Sequence, residues 1–528
     1  MKKHIAIHWK FITLLPAFCI ILQCRKGQAS NDNPVNPVVE KPIQVMIDAT
    51  RAYQTIENFG ASDAWSCQFV GNWPAAKKDK IAELLFSTDT TANGNPKGIG
   101  LSLWRFNIGA GSTEQQDVSG IKDEWRRAPS FLQQDGKYNW NSHAGQQWFL
   151  QAAQQRGVKE FLGFFNSPPV QYTINAKAYA TAGRCNLDNT RYRVFADFTK
   201  DMIQGIKNKT GILFNYISPF NEPQWDWSDG GQEGNPYSNK EIAAITKTLD
   251  SSFSSNQIQT KIVVPEAGHI KYLLADEDKF GKGNQVDAFF NASSAEYIGN
   301  LSHVKHAVAY HSYFSTSPIA TAIDTRQKVA ARIASIKDLS LWQSEYCILG
   351  DNEGEIKGEG RDLGMTAALY IARTIHTDLT ISNATAWQWW LAISPYDYKD
   401  GLIYIDKDKT DGNFYESKML WALGNFSRFI RPGMQRIAVE TVGNETGNYF
   451  ISAYKNEQTK KLVIVLINPT VSQQSFEFKT PSQKLLNKRG ALDIFTTNQT
   501  KSLEKSIMYS NVISISPKSI TTLVIENE

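Results

Sequence analysis

Two glutamates follow apolar segments that are typical of buried strands. Glu222 follows FNYISPFN, and Glu345 follows LSLWQS. Taken alone, a strand-end carboxylate is more often a surface or salt-bridged residue than a catalytic one. Two carboxylates that converge on one cleft can, however, divide the work of cleaving a glycosidic bond. One protonates the leaving oxygen, and the other attacks the anomeric carbon or activates water.

The elements that would position these glutamates follow a repeating pattern from residue 55 to residue 431. Eight short apolar segments are predicted as strands: TIENFGA, GLSLWRFNI, KEFLGFFN, FNYISPFN, KIVVPEA, KHAVAYHSY, LSLWQSEY and ATAWQWWLA. Most precede a stretch of helical periodicity, such as AAKKDKIAELLF. The pattern predicts an α/β fold, a (β/α)8 TIM barrel. An open doubly wound sheet usually has a phosphate-binding glycine turn after its first strand, and NFGASDAW offers none.

The pattern changes after RPGM, and residues 432–528 are predicted as an appended all-β domain, a β-sandwich. Segments such as YFISAYKN, KLVIVLINP and ITTLVIENE are short and are separated by turns rich in Asn, Gly, Pro and Lys. The early stretch PIQVMIDA is also strand-like. Residues 43–54 are therefore assigned to strands that join the β-domain. The sequence leaves open whether this domain braces the barrel or binds sugar.

A barrel fold would bring the two glutamates to the same face. Active sites of such barrels lie at the C-terminal ends of the strands. Glu222 ends the predicted fourth strand and Glu345 the predicted seventh. Their matching positions favour a catalytic interpretation more strongly than either residue does alone.

Aromatic residues near the strand ends are candidates for sugar contacts. Trp387 and Trp389 alternate along the eighth strand, so they share a face and are predicted as sugar platforms, whereas Trp390 would face the helices. Further candidates lie in strand-end loops: Asp63, Trp65, Trp225 and Trp227. We expect two of these four to contact the substrate.

In their order and spacing, the motifs resemble those of glycoside hydrolase family 30. The resemblance rests on QTIENFGASDAWS, LSLWRFNIG, NSPP, SPFNEPQW, WQSEY, WALGNFSRFIRPG and ISPKSITTLVI, and covers nearly all of the chain after the linker. NEPQWDW followed by GQEGNPYS is most similar to the endo-β-1,6-galactanase-like branch. Two departures are visible. VQYT after NSPP lacks the aromatic residue of many relatives, and AISPYDYKDG has no basic cluster beyond Lys399, so recognition of a uronic acid is less supported.

The resemblance implies roles for individual residues. Glu222 corresponds to the general acid/base and Glu345 to the nucleophile of a retaining double displacement, which places the carboxyl groups about 5–5.5 Å apart. Asn221 corresponds to the residue that holds the 2-hydroxyl of the sugar. Arg105 corresponds to the arginine that orients the nucleophile and keeps it ionised.

Two residues of the sixth strand complete the predicted site. Tyr313 is predicted to donate a hydrogen bond to Glu345. His311 points the same way by strand alternation, and a structural role is as consistent with its position as a functional one.

The expected activity is retaining, endo-acting hydrolysis of a β-linked polysaccharide. β-1,6-Galactan side chains are the preferred substrate, with β-1,6-glucan and xylan as alternatives. A protein of another class, a surface glycan-binding lipoprotein that has lost catalysis, is disfavoured because the four residues assigned by resemblance are all present. We expect a polysaccharide or oligosaccharide partner, no cofactor, no metal and a monomer.

The N-terminus predicts export. Lys2, Lys3 and Lys10 precede FITLLPAFCIIL, an apolar stretch too short to span a bilayer. Residues 1–24 are therefore predicted as an export signal. Cys24 could carry a lipid anchor, and cleavage near Ala29 is the alternative. The polar, Pro-rich residues 25–42 predict a linker. The predicted location is periplasmic or at the cell surface, as an outer-membrane lipoprotein, or otherwise secreted.

Composition agrees with a carbohydrate-active globular protein. The formal net charge is +4 over 528 residues, which implies no nucleic-acid partner. Aromatic residues make up 12% of the chain, with 14 Trp. Trp and Tyr rings suit ligands that are apolar on one face and hydroxylated at the rim.

Overall fold

The computed structural model describes residues 41–441, 449–482, 492–510 and 512–526. The predicted export signal, Cys24 and nearly all of the predicted linker lie outside these residues. Within the described ranges, no helix combines the length and the apolar composition that a membrane crossing requires.

Eight parallel strands form a closed barrel, which confirms the predicted fold class. After a first strand β1 (Ile43–Thr55) that belongs to another sheet, the barrel strands are β2 (Asn58–Ser62), β3 (Leu103–Asn107), β4 (Glu160–Phe164), β5 (Tyr216–Ser218), β6 (Lys261–Ala267), β7 (Val304–His311), β8 (Ser340–Glu345) and β9 (Ala386–Ser394). The barrel closes because β9 pairs with both β2 and β8. Two further strands extend the sheet beyond β9: β10 (Gly401–Ile405) and β11 (Phe414–Glu416).

Helices connect the barrel strands, and the last helix leads from the barrel to the all-β sheet. They are α1 (Cys67–Val70), α2 (Ala75–Phe86), α3 (Ser112–Gln115), α4 (Ala144–Gln155), α5 (Tyr192–Thr210), α6 (Asn239–Ser255), α7 (Gln285–Phe290), α8 (Ile319–Ala334), α9 (Met365–Thr380) and α10 (Lys418–Ser427). Local sequence explains their ends. α6 begins with a capping box between Ser238 and Glu241, and α5 ends at Gly211, whose φ of 78° favours glycine.

Strand β1 and eight later strands form a nine-stranded all-β sheet. The later strands are β12 (Gln435–Thr441), β13 (Phe450–Lys455), β14 (Lys461–Asn468), β15 (Gln474–Lys479), β16 (Leu492–Thr497), β17 (Glu504–Met508), β18 (Val512–Ile515) and β19 (Ser519–Glu526), and the order in the sheet is β17-β16-β19-β14-β13-β12-β1-β15-β18. One apolar cluster joins Phe476 and Ile513 near one end of this order to Ile494 and Leu523 near the other. The sheet therefore rolls on itself and encloses a core, as in a sandwich.

Helix α10 fastens the barrel to this sheet. Asn425 Nδ2 donates to Thr497 Oγ1 at 2.7 Å, and Thr522 Oγ1 donates to the Asn425 carbonyl oxygen at 2.8 Å. All three residues are buried. Buried hydrogen bonds of this kind favour a bracing role for the β-domain, because breaking them leaves polar groups without partners.

Three β-bulges interrupt strand alternation at the C-terminal end of the barrel. The pairing registers place one extra residue in each of three strands: Glu266 in β6, Ser344 in β8 and Trp390 in β9. A bulge changes the direction of the side chains next to it, and bulges are common beside active sites. Side chains next to a bulge can therefore depart from the two-residue period of an ideal strand.

Asp378 of α9 holds the helix layer against the barrel. Its carboxylate accepts hydrogen bonds from Arg326 Nε (2.6 Å), the Tyr310 hydroxyl (3.0 Å), Ser312 Oγ (3.1 Å) and Trp387 Nε1 (2.9 Å). Asp378 and Arg326 are both 0% exposed. This single carboxylate thus connects α8, β7 and β9.

Asp378→Ala is expected to destabilise the protein by about 3–5 kcal/mol, because it leaves the Arg326 guanidinium buried without its counterion. Denaturant unfolding followed by tryptophan fluorescence measures the change. Asp324→Ala is the matched control, since Asp324 forms an exposed pair with Lys328, and its expected cost is below about 1 kcal/mol. Equal effects of the two substitutions would contradict the role assigned to Asp378.

Candidate active site

A cavity of about 720 Å³ lies at the C-terminal ends of the barrel strands and contains both predicted glutamates. Aromatic side chains form much of its wall, among them Trp65, Trp225 and Trp227. A cavity of this size with aromatic walls and a few converging polar groups is typical of a small-molecule or sugar site.

Glu222 and Glu345 face each other in this cavity. One carboxylate oxygen of each, together with a ring nitrogen of His311, lie within 4.8 Å of one another. Glu222 is 7% exposed and Glu345 is 3% exposed. A separation this short leaves no room for a water molecule between a carboxylate base and a sugar ring, and it suits direct attack by a carboxylate.

Both oxygens of Glu345, the last residue of β8, are held by hydrogen bonds. Arg105 Nη1 donates to Oε2 at 2.9 Å, and the Tyr313 hydroxyl donates to Oε1 at 3.0 Å. Arg105 is 0% exposed, and its guanidinium lies 4.5 Å from the centre of the Phe164 ring. The structure thus places Arg105 and Tyr313 against Glu345. Charge-assisted hydrogen bonds of this kind fix the direction of a carboxylate.

Glu222 occupies a strained backbone position after β5. The strand ends at Ser218, four residues before Glu222, whereas the sequence predicted a strand that continues to the glutamate. Glu222 has a φ of 44°, which is incompatible with a strand. The Glu222 backbone amide donates to the Glu266 carbonyl oxygen at 2.9 Å, and Trp227 Nε1 donates to the Glu222 carbonyl oxygen at 3.0 Å. Such strain persists where surrounding contacts hold it, and it is enriched at active sites.

His311 lies between two carboxylates. Its Nδ1 is 2.9 Å from Glu222 Oε1, and its Nε2 is 3.1 Å from Glu266 Oε2. Burial alone would lower the pKa of His311, but the charge of Glu345 and the hydrogen bonds to Glu222 and Glu266 raise it to about 10. The ring is therefore an imidazolium that donates a hydrogen bond from each nitrogen.

The environments of Glu222 and Glu266 push their pKa values in opposite directions. Burial raises the pKa of Glu222, and the negative charge of Glu345 adds to this, although the hydrogen bond from His311 opposes it. For Glu266, burial also acts upward, but the His311 hydrogen bond and the charge of Arg105 outweigh it and lower the pKa. Glu222 is thus suited to carry a proton while Glu266 stays ionised.

Glu266 was missed by the sequence interpretation. It accepts hydrogen bonds from Ser218 Oγ at 2.8 Å and from Ser344 Oγ, in addition to His311. Its position after the apolar run IVVP, at the end of the fifth barrel strand, is the same kind of signal that identified Glu222 and Glu345. The strand-end rule could have found it.

Glu222, His311 and Glu345 also have the composition of a metal-binding cluster. In this structure, however, hydrogen bonds account for their arrangement. Both nitrogens of His311 face carboxylates, and Arg105 already places a positive charge beside Glu345. The expectation that no metal is needed stays a prediction.

The predicted loop residues divide into two groups. Trp65, Trp225 and Trp227 line the cavity. Asp63 does not, and its prediction as a substrate contact is wrong. It is 0% exposed, and its Oδ1 accepts hydrogen bonds from the Asn107 amide (2.7 Å) and Gln146 Nε2 (3.0 Å). Asp63 therefore holds the start of the barrel together.

The assignment of the eighth-strand tryptophans is also wrong. Trp387 and Trp389 are 0% exposed, and their indole nitrogens donate to Asp378 Oδ2 and to the Asp400 carbonyl oxygen. Trp390, which alternation predicts to face the helices, lines the cavity instead. Trp387 and Trp389 do share one face, as alternation predicts, but Trp387 reaches Asp378 of α9 on the helix side, and Trp390 lies on the opposite face. The sequence prediction therefore assigned the wrong face of the strand to the cavity.

The structure brings further residues to the cavity that the sequence did not indicate. Arg126 comes from the long loop after β3, Phe314 follows β7, and Tyr396 and Asp400 lie between β9 and β10. They lie outside the strands, so neither periodicity nor strand-end position marks them.

Asn221 lies beside Glu222 in the cavity wall. It is 3% exposed, and its Oδ1 has no hydrogen-bond partner among the described residues. A buried acceptor without a donor is costly, so this oxygen is suited to receive a hydrogen bond from a ligand.

Comparisons with known proteins agree with this geometry. Glucuronoxylanase XynC of Bacillus subtilis (strain 168) is 23% identical over 458 residues, which cover 85% of this chain and 84% of that protein. A conserved exported protein from Bacteroides fragilis has a TM-score of 0.84 and 33% identity, over 91% of this chain and 100% of that one. The endo-β1,6-glucanase BT3312 has a TM-score of 0.63 and 15% identity, over 92% and 94% of the two chains, and thus shares the fold.

The family comparison covers the barrel and the cavity. Residues 42–404 match the model of O-Glycosyl hydrolase family 30. The matched segment is more than half of the chain, and it includes Glu222, Glu345 and the residues that hold them. The chain belongs to O-glycosyl hydrolase family 30.

Proposed function

We propose that this family 30 endo-glycosidase acts by a retaining double displacement, with Glu345 as the nucleophile and Glu222 as the general acid/base. One observation carries the proposal: the two carboxyl groups come within 4.8 Å of each other and have different environments. Retaining enzymes place these groups about 5–5.5 Å apart, whereas inverting enzymes place them about 6.5–9.5 Å apart.

In the first step, Glu345 attacks the anomeric carbon and forms a carbon–oxygen bond. Glu222 donates its proton to the glycosidic oxygen, the glycosidic bond breaks, and the leaving sugar departs as an alcohol. In the second step, the ionised Glu222 removes a proton from water. The water oxygen bonds to the anomeric carbon and the Glu345 carboxylate leaves, so the configuration is retained.

The surrounding residues support this division of roles. Arg105 and Tyr313 hold Glu345 so that a lone pair can point at the substrate. His311 occupies Oε1 of Glu222, which leaves Oε2 for the catalytic proton. The unpartnered Asn221 Oδ1 is suited to accept a hydrogen bond from the 2-hydroxyl of the sugar, which strengthens as the ring flattens.

β-1,6-Galactan is the proposed substrate. Support comes from the similarity of NEPQWDW and GQEGNPYS to the galactanase-like branch, together with an aromatic cavity suited to hexose rings. Xylan and β-1,6-glucan remain rivals, since a curated relative is named as a glucuronoxylanase and a structural neighbour as an endo-β1,6-glucanase.

The choice of substrate is tested with three neutral polysaccharides: β-1,6-galactan, β-1,6-glucan and xylan. Wild-type protein is expected to release products fastest from β-1,6-galactan. The first products should be short oligosaccharides, because an endo-acting enzyme cleaves within the polysaccharide chain before it releases monosaccharide. Glu345→Gln should give no products. Faster cleavage of glucan or xylan would replace the galactan proposal, and release of monosaccharide alone would contradict endo action.

The roles of the glutamates are separated by azide rescue of two variants. With an activated aryl glycoside, Glu222→Ala plus azide is expected to yield a glycosyl azide of retained configuration, because azide replaces water in the second step. Glu345→Ala plus azide should yield the inverted azide, because azide replaces the nucleophile. Without azide, loss of the acid is expected to cost about 10²–10⁴-fold on natural substrate. NMR gives the configuration of each azide product. If Glu222→Ala gave the inverted azide and Glu345→Ala the retained one, the two roles would have to be exchanged.

Glu266→Gln is expected to move the basic limb of the kcat/KM profile to higher pH, on the order of one pH unit. Glu266 stabilises the positive charge on His311, and that charge lowers the pKa of Glu222. In the variant, His311 loses its proton more easily, and a neutral His311 no longer lowers the pKa of Glu222. The pKa of Glu222 then rises further, so the acid stays protonated to higher pH.

Glu233→Gln is the matched control for this pH profile. Glu233 is also fully buried, but it accepts hydrogen bonds from Ser112 Oγ and the Ala110 amide and is not among the residues that line the cavity. The basic limb should stay in place in this variant. A shift to lower pH in Glu266→Gln would overturn the assignment of Glu266 as a positioning residue.

A further inference from the structure

The cavity has a second polar wall that the proposed reaction does not use. Arg126 and Asp400 both line it. The Arg126 guanidinium lies over the rings of Trp65 (5.3 Å) and Tyr396 (5.1 Å), which hold it by cation–π contact. Among the described residues, no carboxylate forms an ion pair with it.

Asp400 presents an unsatisfied acceptor on the same wall. It is 7% exposed, and its Oδ1 has no hydrogen-bond partner within the described part of the chain. Burial raises the pKa of Asp400 to about 6, although a hydrogen bond from Ser394 and the charge of Arg126 act to lower it. The two opposite charges thus influence each other without direct contact. This oxygen can therefore accept a hydrogen bond from water or from a ligand hydroxyl.

We propose that Arg126 and Asp400 bind hydroxyl groups of a neutral sugar unit and select neutral glycans over glycans that carry a uronate. A hydroxyl can accept from a guanidinium and donate to a carboxylate at the same time. Trp65 Nε1 is buried without a partner among the described residues and adds a donor to this wall. The inference rests on the proposed glycosidase function and concerns its substrate class.

The charges around the cavity favour a neutral ligand. Among the described lining residues, Arg126 carries the only positive side chain. Asp397 and Asp400 add two acidic side chains to the lining, beyond the glutamates that His311 and Arg105 contact. A uronate bound to Arg126 would lie close to the carboxylate of Asp400, where like charges repel strongly because little water separates them. A neutral hydroxyl meets no such repulsion.

Calorimetric binding to full-length Glu345→Gln protein tests the proposal without turnover. The probes are neutral β-1,6-galacto-oligosaccharides and the same oligosaccharides with a glucuronate substituent. Adding Asp400→Ala or Arg126→Met is expected to weaken binding of the neutral probe about 10- to 100-fold, because each removes a hydrogen bond to a charged group. Asp400→Asn keeps the shape and removes the charge, so it should raise the affinity ratio of the glucuronate probe to the neutral one.

Arg436→Met serves as the matched control. Arg436 also lies over an aromatic ring, Tyr53 (3.8 Å), but it belongs to β12 and is not one of the residues described as lining the cavity. This control variant should bind both probes as tightly as the parent does. Thermal unfolding checks that every variant is folded.

Two results would overturn the selection by Arg126 and Asp400. One is unchanged binding in both Asp400→Ala and Arg126→Met, and the other is failure of the parent to bind the neutral probe. The glycosidase proposal fails on a different result, in which wild-type protein binds glycans but cleaves none of the three polysaccharides.

Discussion

The site depends on one positive charge, the His311 imidazolium, placed between Glu222 and Glu266. Glu222, Glu266 and Glu345 are three buried carboxyl groups that lie within a few ångströms of this charge. Three negative charges at such distances in a poorly solvated interior would repel strongly. The imidazolium donates to two of them and lies 3.6 Å from an oxygen of the third. The three carboxyl groups can therefore lie side by side, with Glu222 and Glu345 lining the cavity and Glu266 fully buried outside its lining.

Unequal surroundings then give the two facing glutamates different chemistry. Glu345 receives hydrogen bonds on both oxygens from Arg105 and Tyr313, which fix the direction of the carboxylate. Glu222 is held by His311 on one oxygen only, and burial raises its pKa. In the proposed mechanism, these different environments let two groups of the same type serve as an acid and a nucleophile, as in other pairs of catalytic carboxylates.

Backbone irregularity is the second requirement of this arrangement. Glu222 has a positive φ, and Glu266 and Trp390 are the extra residues of two bulges. The positive φ of Glu222 and the bulge at Glu266 place side chains where a regular strand would not. Buried contacts hold these positions, including the hydrogen bond from the Glu222 amide to the Glu266 carbonyl oxygen and the network around Asp378. The rigid barrel and its β-domain thus support a locally strained site.

The sequence by itself determined the barrel and the two glutamates. Eight apolar segments with helical spacing between them specify strands and helices, because burial imposes periods of 2 and 3.6 residues. Parallel strands of a barrel end on one face, so Glu222 and Glu345 had to meet there. Only the tertiary structure decided the rest. Alternation placed Trp387 and Trp389 on one face, but only packing against α9 decided that this face is the helix side. Loop conformation brought Arg126 and Asp400 to the cavity wall. Contacts between residues far apart in the chain set the charge of His311, and no local pattern encodes such contacts.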